Sequence, residues 1–310
     1  MITTDPIRVT SAMVTASSVA YPDTGENVWS SAVNYAAGAT VSYSIDGTFH
    51  RFESKQAGNL NHIPSAYPDD ATNAWWIDLG YVNKLAAFQL ERNTQTIGTS
   101  PYTVSVDPGE RVGCVGIGNI EADSVNLKVY NSSAVLLYDQ TNQLLSRSVY
   151  DWYSWTYAPF QQLKNTLFNN LPLNSGNTFA LTFTKSSGSV KVGAIVPGMP
   201  LDIGRALMGN TGVRMINFSL FERDEFGEVK VTVRKNIPKV NYQLLIDAPR
   251  FNGVKRMIND LNGVVTMWAG ITESDHPYFE SVFTIGICKD FGNVIDLPNY
   301  IQADIEIEAL

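Results

Sequence analysis

The chain has 310 residues, 44% apolar and 17% charged, which is more than one hydrophobic core usually absorbs and too uncharged for a disordered polypeptide. Its net charge of -8 argues against a grip on nucleic-acid phosphates or anionic lipid, because both need clustered Lys and Arg. No window approaches the ~20 apolar residues of a membrane span, and Met1 to Arg8 has no basic stretch leading into an apolar one, so neither membrane insertion nor a standard export signal is expected.

In chain order, Ile7 to Val19 reads as a strand, and residues 1–26 are assigned as an N-terminal strand region belonging to a sandwich formed later in the chain. The next segment, 27–78, is dense in aromatic residues separated by glycines. It carries Trp29, Tyr35, Gly38, Val41, Phe52, Gly58, Pro64, Trp75 and Trp76. Two readings stand side by side for these rings. They form the core that a very small module needs, or they turn outward and stack on the apolar face of a sugar.

From residue 79 to 200 the apolar period is two. Tyr102-Thr-Val-Ser-Val106, Val125-Asn-Leu-Lys-Val129 and Phe179-Ala-Leu-Thr-Phe183 alternate as strands with one buried face do, and Asp107-Pro-Gly109, Asn174-Ser-Gly176 and Ser186-Ser-Gly188 supply turns between such runs. A β-sandwich follows. The aromatic run Tyr150 to Tyr157 is expected in its core, as the thickest layer, with an exposed loop as the other reading.

Residues 201–310 form the last predicted unit. Phe218 to Val233 reads as a hairpin turning through Asp224-Glu-Phe-Gly227. Val254, Met257, Ile258 and Leu261 share one helix face, so a helix is predicted over 250–262, capped by Gly263 and packed on an antiparallel sheet. The terminal Ile305-Glu-Ile307 alternates, and it is expected to be an open sheet edge with Glu306 and Glu308 on its polar face. The fold class is therefore mainly β: a small aromatic module, a sandwich, and a C-terminal β-domain with one packed helix.

No chemistry is marked by a motif. His50, His62 and His276 lack metal-ligand spacing, Gly113-Cys-Val-Gly116-Ile-Gly118 is not a phosphate-binding glycine pattern, and no nucleophile elbow is present. Asp69, Asp70, Asp151 and Glu222 are carboxylates that no motif singles out as a glycosidase pair. Cys114 and Cys288 both lie in predicted strands and are expected to be buried reduced thiols. The expectation is a protein that is not an enzyme and has no cofactor or metal.

Several resemblances attach to these segments. The order Trp29, Tyr35, Gly38, Val41, an aromatic at Phe52, Pro64 and Trp75 or Trp76 resembles the small carbohydrate-binding modules found on chitinases and cellulases. Phe52 departs from that pattern, where Tyr is usual. The resemblance implies sugar contacts at Trp29, Tyr35, Phe52, Trp75 and Trp76. Trp75 to Leu90, WWIDLGYVNKLAAFQL, resembles the opening of discoidin-like, galactose-binding jelly rolls.

Nearly the whole chain, through SVYDWYSWTYAPF, FSLFERDEFGEVKVTVRK, VFTIGICKDFGNVIDLPNY and IEIEAL, resembles a family of tail proteins of tailed bacteriophages. That resemblance implies a structural component of the tail tip or baseplate, similar to a distal tail protein. It implies a virion component assembled in the bacterial cytoplasm, a homo-oligomer formed through the C-terminal domain, tube and hub proteins as partners, and outward modules that contact host surface polysaccharide. The alternative is a stand-alone carbohydrate-binding accessory or receptor-binding protein.

Overall fold

The computed structural model describes residues 1–23, 25–64, 74–147, 149–207, 209–223, 225–234, 236–294 and 298–309. Asp69 and Asp70 lie outside the described residues, as does Asp224 in the predicted turn. The protein is mainly β, with 51% strand and 9% helix. It divides into two compact units, Ile7–Gly198 and Met1–Pro6 with Met199–Leu310.

The unit Ile7–Gly198 is β-sandwich-like. One antiparallel sheet runs Leu136–Gln143, Ser124–Tyr130, Thr178–Thr184, Tyr102–Val106 and Val14–Ser17. In a second sheet, Cys114–Glu121 lies between Thr166–Phe168 and the strand that begins at Ser189, whose start also pairs with Thr96–Thr99. Period-two sequence becomes alternating burial: Val125, Leu127 and Val129 are buried while Asn126 and Lys128 are not. These residues meet Ile117, Ile120, Val190, Val192 and Ile195 of the other sheet in one apolar core. The rings of Tyr102 and Phe183 stack inside it at 5.5 Å.

The aromatic segment belongs to this same unit. Thr40–Ile45 and Thr48–Ser54 form a hairpin extended by Trp76–Tyr81, and Asn27–Val28 adds in parallel. The two-residue turn Asp46-Gly47 has positive φ at both positions, 48° and 77°, the geometry that matches strand twist in tight hairpins and that glycine enters without a steric penalty. The run WIDLGY is therefore a strand of this module, with Trp75 just before it. The following Leu85, Ala87 and Phe88 join the sandwich core, and Tyr21 stacks on Phe49 at 4.1 Å between the two parts.

Two expectations fail in this unit. Tyr150 to Tyr157 is not a core layer: it contains a short helix, α1 (Trp152–Tyr157), with no buried residue. The N-terminal region 1–26 is also split. Val14–Ser17 joins the sandwich, while Ile2–Pro6 pairs with Thr266–Ala269 of the other unit.

That second unit holds a curled antiparallel sheet in the order Ile2–Pro6, Thr266–Ala269, Phe283–Val294, Tyr300–Ala309 and Asn236–Asp247. The helix predicted over 250–262 is α2 (Phe251–Asp260). Its Phe251, Val254 and Ile258, with Leu261 just beyond, pack among Tyr242, Leu244, Trp268, Ile301 and Ile305. Trp268 donates its indole N–H to the Gly286 carbonyl, and Tyr242 donates its hydroxyl to the Val282 carbonyl, so the two largest core rings leave no stranded polar atom. Gly286 is required by space, since a Cβ there would sit 2.0 Å from the Glu308 carbonyl oxygen.

The terminal strand Tyr300–Ala309 is not an edge. It lies between Asn236–Asp247 and Phe283–Val294, with Ala303, Ile305 and Ile307 fully buried. Glu306 pairs with Lys239 at 2.6 Å and Glu308 with Lys289 at 3.5 Å, so its polar face is matched by lysines of the flanking strands. Cys114 is buried as expected, whereas Cys288 is half-buried beside a bulge in its strand, with its thiol pushed up to about 11 by burial.

Candidate binding and assembly surfaces

Three regions gather the residues that could recognise another molecule. The first is the aromatic module. Tyr35, Phe52 and Trp76 are buried together with Val41 and have no ring face to offer. Trp29 and Trp75 pack at the margin of that core and remain half-exposed. His62 organises this margin: its carbonyl accepts the indole N–H of Trp29 at 3.1 Å and of Trp76 at 2.8 Å, and its ring stacks on Trp75 at 3.7 Å. One face of Trp75 is thus already covered by imidazole.

Beside this core lies a polar cluster that sequence reading did not single out. Asp78 is buried, with its carboxylate 3.3 Å from His50 Nδ1 and 3.2 Å from Arg92, and it accepts the Gly80 N–H at 2.8 Å. Burial pushes its pKa up, but the His50 and Gly80 hydrogen bonds and the Arg92 charge outweigh this and hold it below the usual carboxylate value. Arg92 also donates to the Asp78 carbonyl, fastening the strand to the following loop. This cluster reads as a clamp on the module's last strand. Hydropathy gave no signal for it: Asp78 shares the buried face with Trp76 and Gly80, while the apolar Ile77 and Leu79 are the exposed positions of this strand.

The second region is α1. Leu145–Ser146 and Gln161–Gln162 pair at its base, and Leu163 N–H donates to the Leu144 carbonyl, so the intervening loop is closed at its foot. Asp151 caps the helix by accepting the Ser154 N–H at 2.7 Å, while Ser154 Oγ accepts the Asp151 N–H, a reciprocal capping box. The Ser154 bonds hold the Asp151 carboxyl below its ordinary value. Ala158 is extended ahead of Pro159, which ends the helix. Around this short helix, Trp152 is 84% and Trp155 59% exposed, and Tyr150, Tyr153, Tyr157 and Phe160 are exposed as well.

The third region is an arm between Arg205 and Arg234. Gly212–Asn217 pairs with the outer side of Asn236–Asp247, and the chain then forms the hairpin Leu220–Arg223 with Val229–Thr232, as the sequence predicts. All eight residues of those two hairpin strands are exposed. Phe221 stands opposite Val231 and Arg223 opposite Val229, so the period of two puts Phe221, Val229, Val231 and Val233 on one face of the ribbon, with Arg223 as the charged residue among them. Phe226, at the turn, is 91% exposed. Glu222, one of the sequence's unassigned carboxylates, faces Lys230 across the other side of the ribbon.

Comparison of the chain with protein-family models, with curated proteins and with solved structures finds no match.

Proposed function

We propose that the protein is a structural component of a bacteriophage tail tip or baseplate, similar to a distal tail protein, that oligomerises through its C-terminal unit and carries outward modules for host surface glycans. The observation that carries the assembly role is the uncovered apolar face of the 220–232 hairpin. A two-stranded ribbon is marginal by itself in water, and one whose apolar face meets no core gains stability only when another surface covers it. Charge favours a second copy as that surface. Residues 205–235 contain 6 Lys and Arg and 4 Asp and Glu, a balance of +2, which leaves -10 on the rest of the chain. The tail assignment itself is supported by the sequence resemblance, and tube and hub proteins are its implied partners.

Sedimentation velocity tests the assembly role. The wild-type protein is expected to form a defined oligomer, and the double variant Phe221→Asp with Val231→Asp to sediment as a smaller species with unchanged circular dichroism. A wild-type chain that is monomeric at all concentrations favours the second reading, a stand-alone sugar-binding accessory protein. The observation in favour of that reading is the half-exposed pair Trp29 and Trp75 at the margin of the aromatic module.

A further inference from the structure

The ring-bearing loop around α1 differs from the other exposed apolar surfaces in composition. From Tyr150 to Phe160 the only aliphatic side chains are Ala158 and Pro159, and six of eleven residues are aromatic. Trp152 and Trp155 lie one turn apart with ring centroids at 6.1 Å, and Tyr153 and Tyr157 at 4.9 Å. The three tyrosine hydroxyls and two indole N–H groups form no hydrogen bond to any described residue. Five of the six rings, all but Phe160, are therefore amphipathic, each with an apolar face and a free polar edge.

Its charges are already used. Asp151 is held by the Ser154 N–H, and Arg147 donates to the Ser154 and Trp155 carbonyls while its guanidinium lies 5.4 Å from the Phe160 ring centre. Apart from the exposed Asp151 carboxylate, which is engaged as the helix cap, what reaches solvent is a set of neutral rings, five of them with hydroxyl or N–H edges. A surface that docks on anionic lipid adds Lys and Arg to its aromatics, and a protein hot spot seals its rings with a surround of other side chains that excludes water. Neither accompaniment is present in this run. The matching ligand offers apolar CH faces and many hydroxyls without charge.

We propose that the α1 loop is a carbohydrate-binding platform for an uncharged polysaccharide, with Trp152 and Trp155 as stacking residues and the hydroxyls of Tyr153 and Tyr157 as polar contacts. Aromatic stacking of this kind tolerates variation in the ligand because it reads a face rather than a hydrogen-bond pattern. The inference rests on the glycan-contacting part of the proposed role and is independent of assembly through the arm.

Native affinity electrophoresis of the full chain, in gels carrying a soluble β-glucan, a galactomannan or neutral polysaccharide extracted from bacterial cell wall, tests it. At least one gel is expected to retard the wild-type protein. Trp152→Ala with Trp155→Ala is expected to weaken that retardation about tenfold or more. Sedimentation of the Trp152/Trp155 variant should match wild type, which keeps this outcome separate from that of the arm. Unchanged mobility of the wild type in every gel overturns the proposal. So does retardation that survives the Trp152/Trp155 substitutions, or an altered oligomeric state in that variant, which assigns the rings to a contact between copies.

Discussion

The aromatic module and the α1 loop use the same residue types and arrive at opposite ends of the exposure scale. Trp76 is 0% exposed and Trp152 84%. The difference lies in what surrounds each ring along the chain. Trp76 sits in a strand whose alternate residues point inward, opposite a hairpin that supplies Phe52 and Val41, so the ring completes a core. Trp152 follows an N-cap on a six-residue helix closed off by Ala158-Pro159, and among the described residues no facing element buries it. Ring density alone therefore does not distinguish a core from a surface; the periodicity around it does.

Stability measurements sharpen that comparison most strongly. Trp76→Ala removes a fully buried indole and is expected to cost about 3–5 kcal/mol in denaturant unfolding, enough to melt the module. Trp152→Ala with Trp155→Ala should shift stability by no more than about 0.5 kcal/mol in the same assay, since exposed side chains contribute little. Equal effects at the two sites would remove the distinction.

A smaller effect is expected at the Asp78 clamp. Asp78→Ala leaves Arg92 and His50 without their carboxylate and should cost about 1–3 kcal/mol. Because the folded state lowers this group's pKa, its contribution is fully present above the ordinary carboxylate value and is lost as pH falls through the lower folded value. Unfolding measured between pH 6 and pH 2 should show wild type losing its advantage over Asp78→Ala toward the acid end. A constant difference across that range contradicts the clamp.

Much of the architecture was legible from period and turn chemistry. The strands at 102–106, 124–130 and 178–184, the hairpin at 218–233 and helix α2 all fall where alternation or i, i+3, i+4 spacing places them. Position within a sheet was not legible. The alternation of Ile305 and Ile307 fixes which side chains point inward, but whether that strand is central or at an edge depends on partners more than sixty residues earlier, at Val240 and Tyr242. The pairing of Ile2–Pro6 with Thr266–Ala269 is equally non-local. Of the five predicted ring contacts, Tyr35, Phe52 and Trp76 are interior because spacing gave their order and not their facing. The α1 rings were visible as a cluster, yet a run of six aromatic residues with no strict period fits core and surface alike.

The arm supplies the most direct test of the assembly role. Hydrogen–deuterium exchange over residues 213–233, read at high and at low protein concentration, reports whether another surface covers the ribbon. Assembly through the C-terminal unit predicts strong protection at high concentration that falls on dilution and is absent in the Phe221/Val231 variant. Fast exchange of these amides at every concentration, in a protein whose sheet core stays protected, would contradict it.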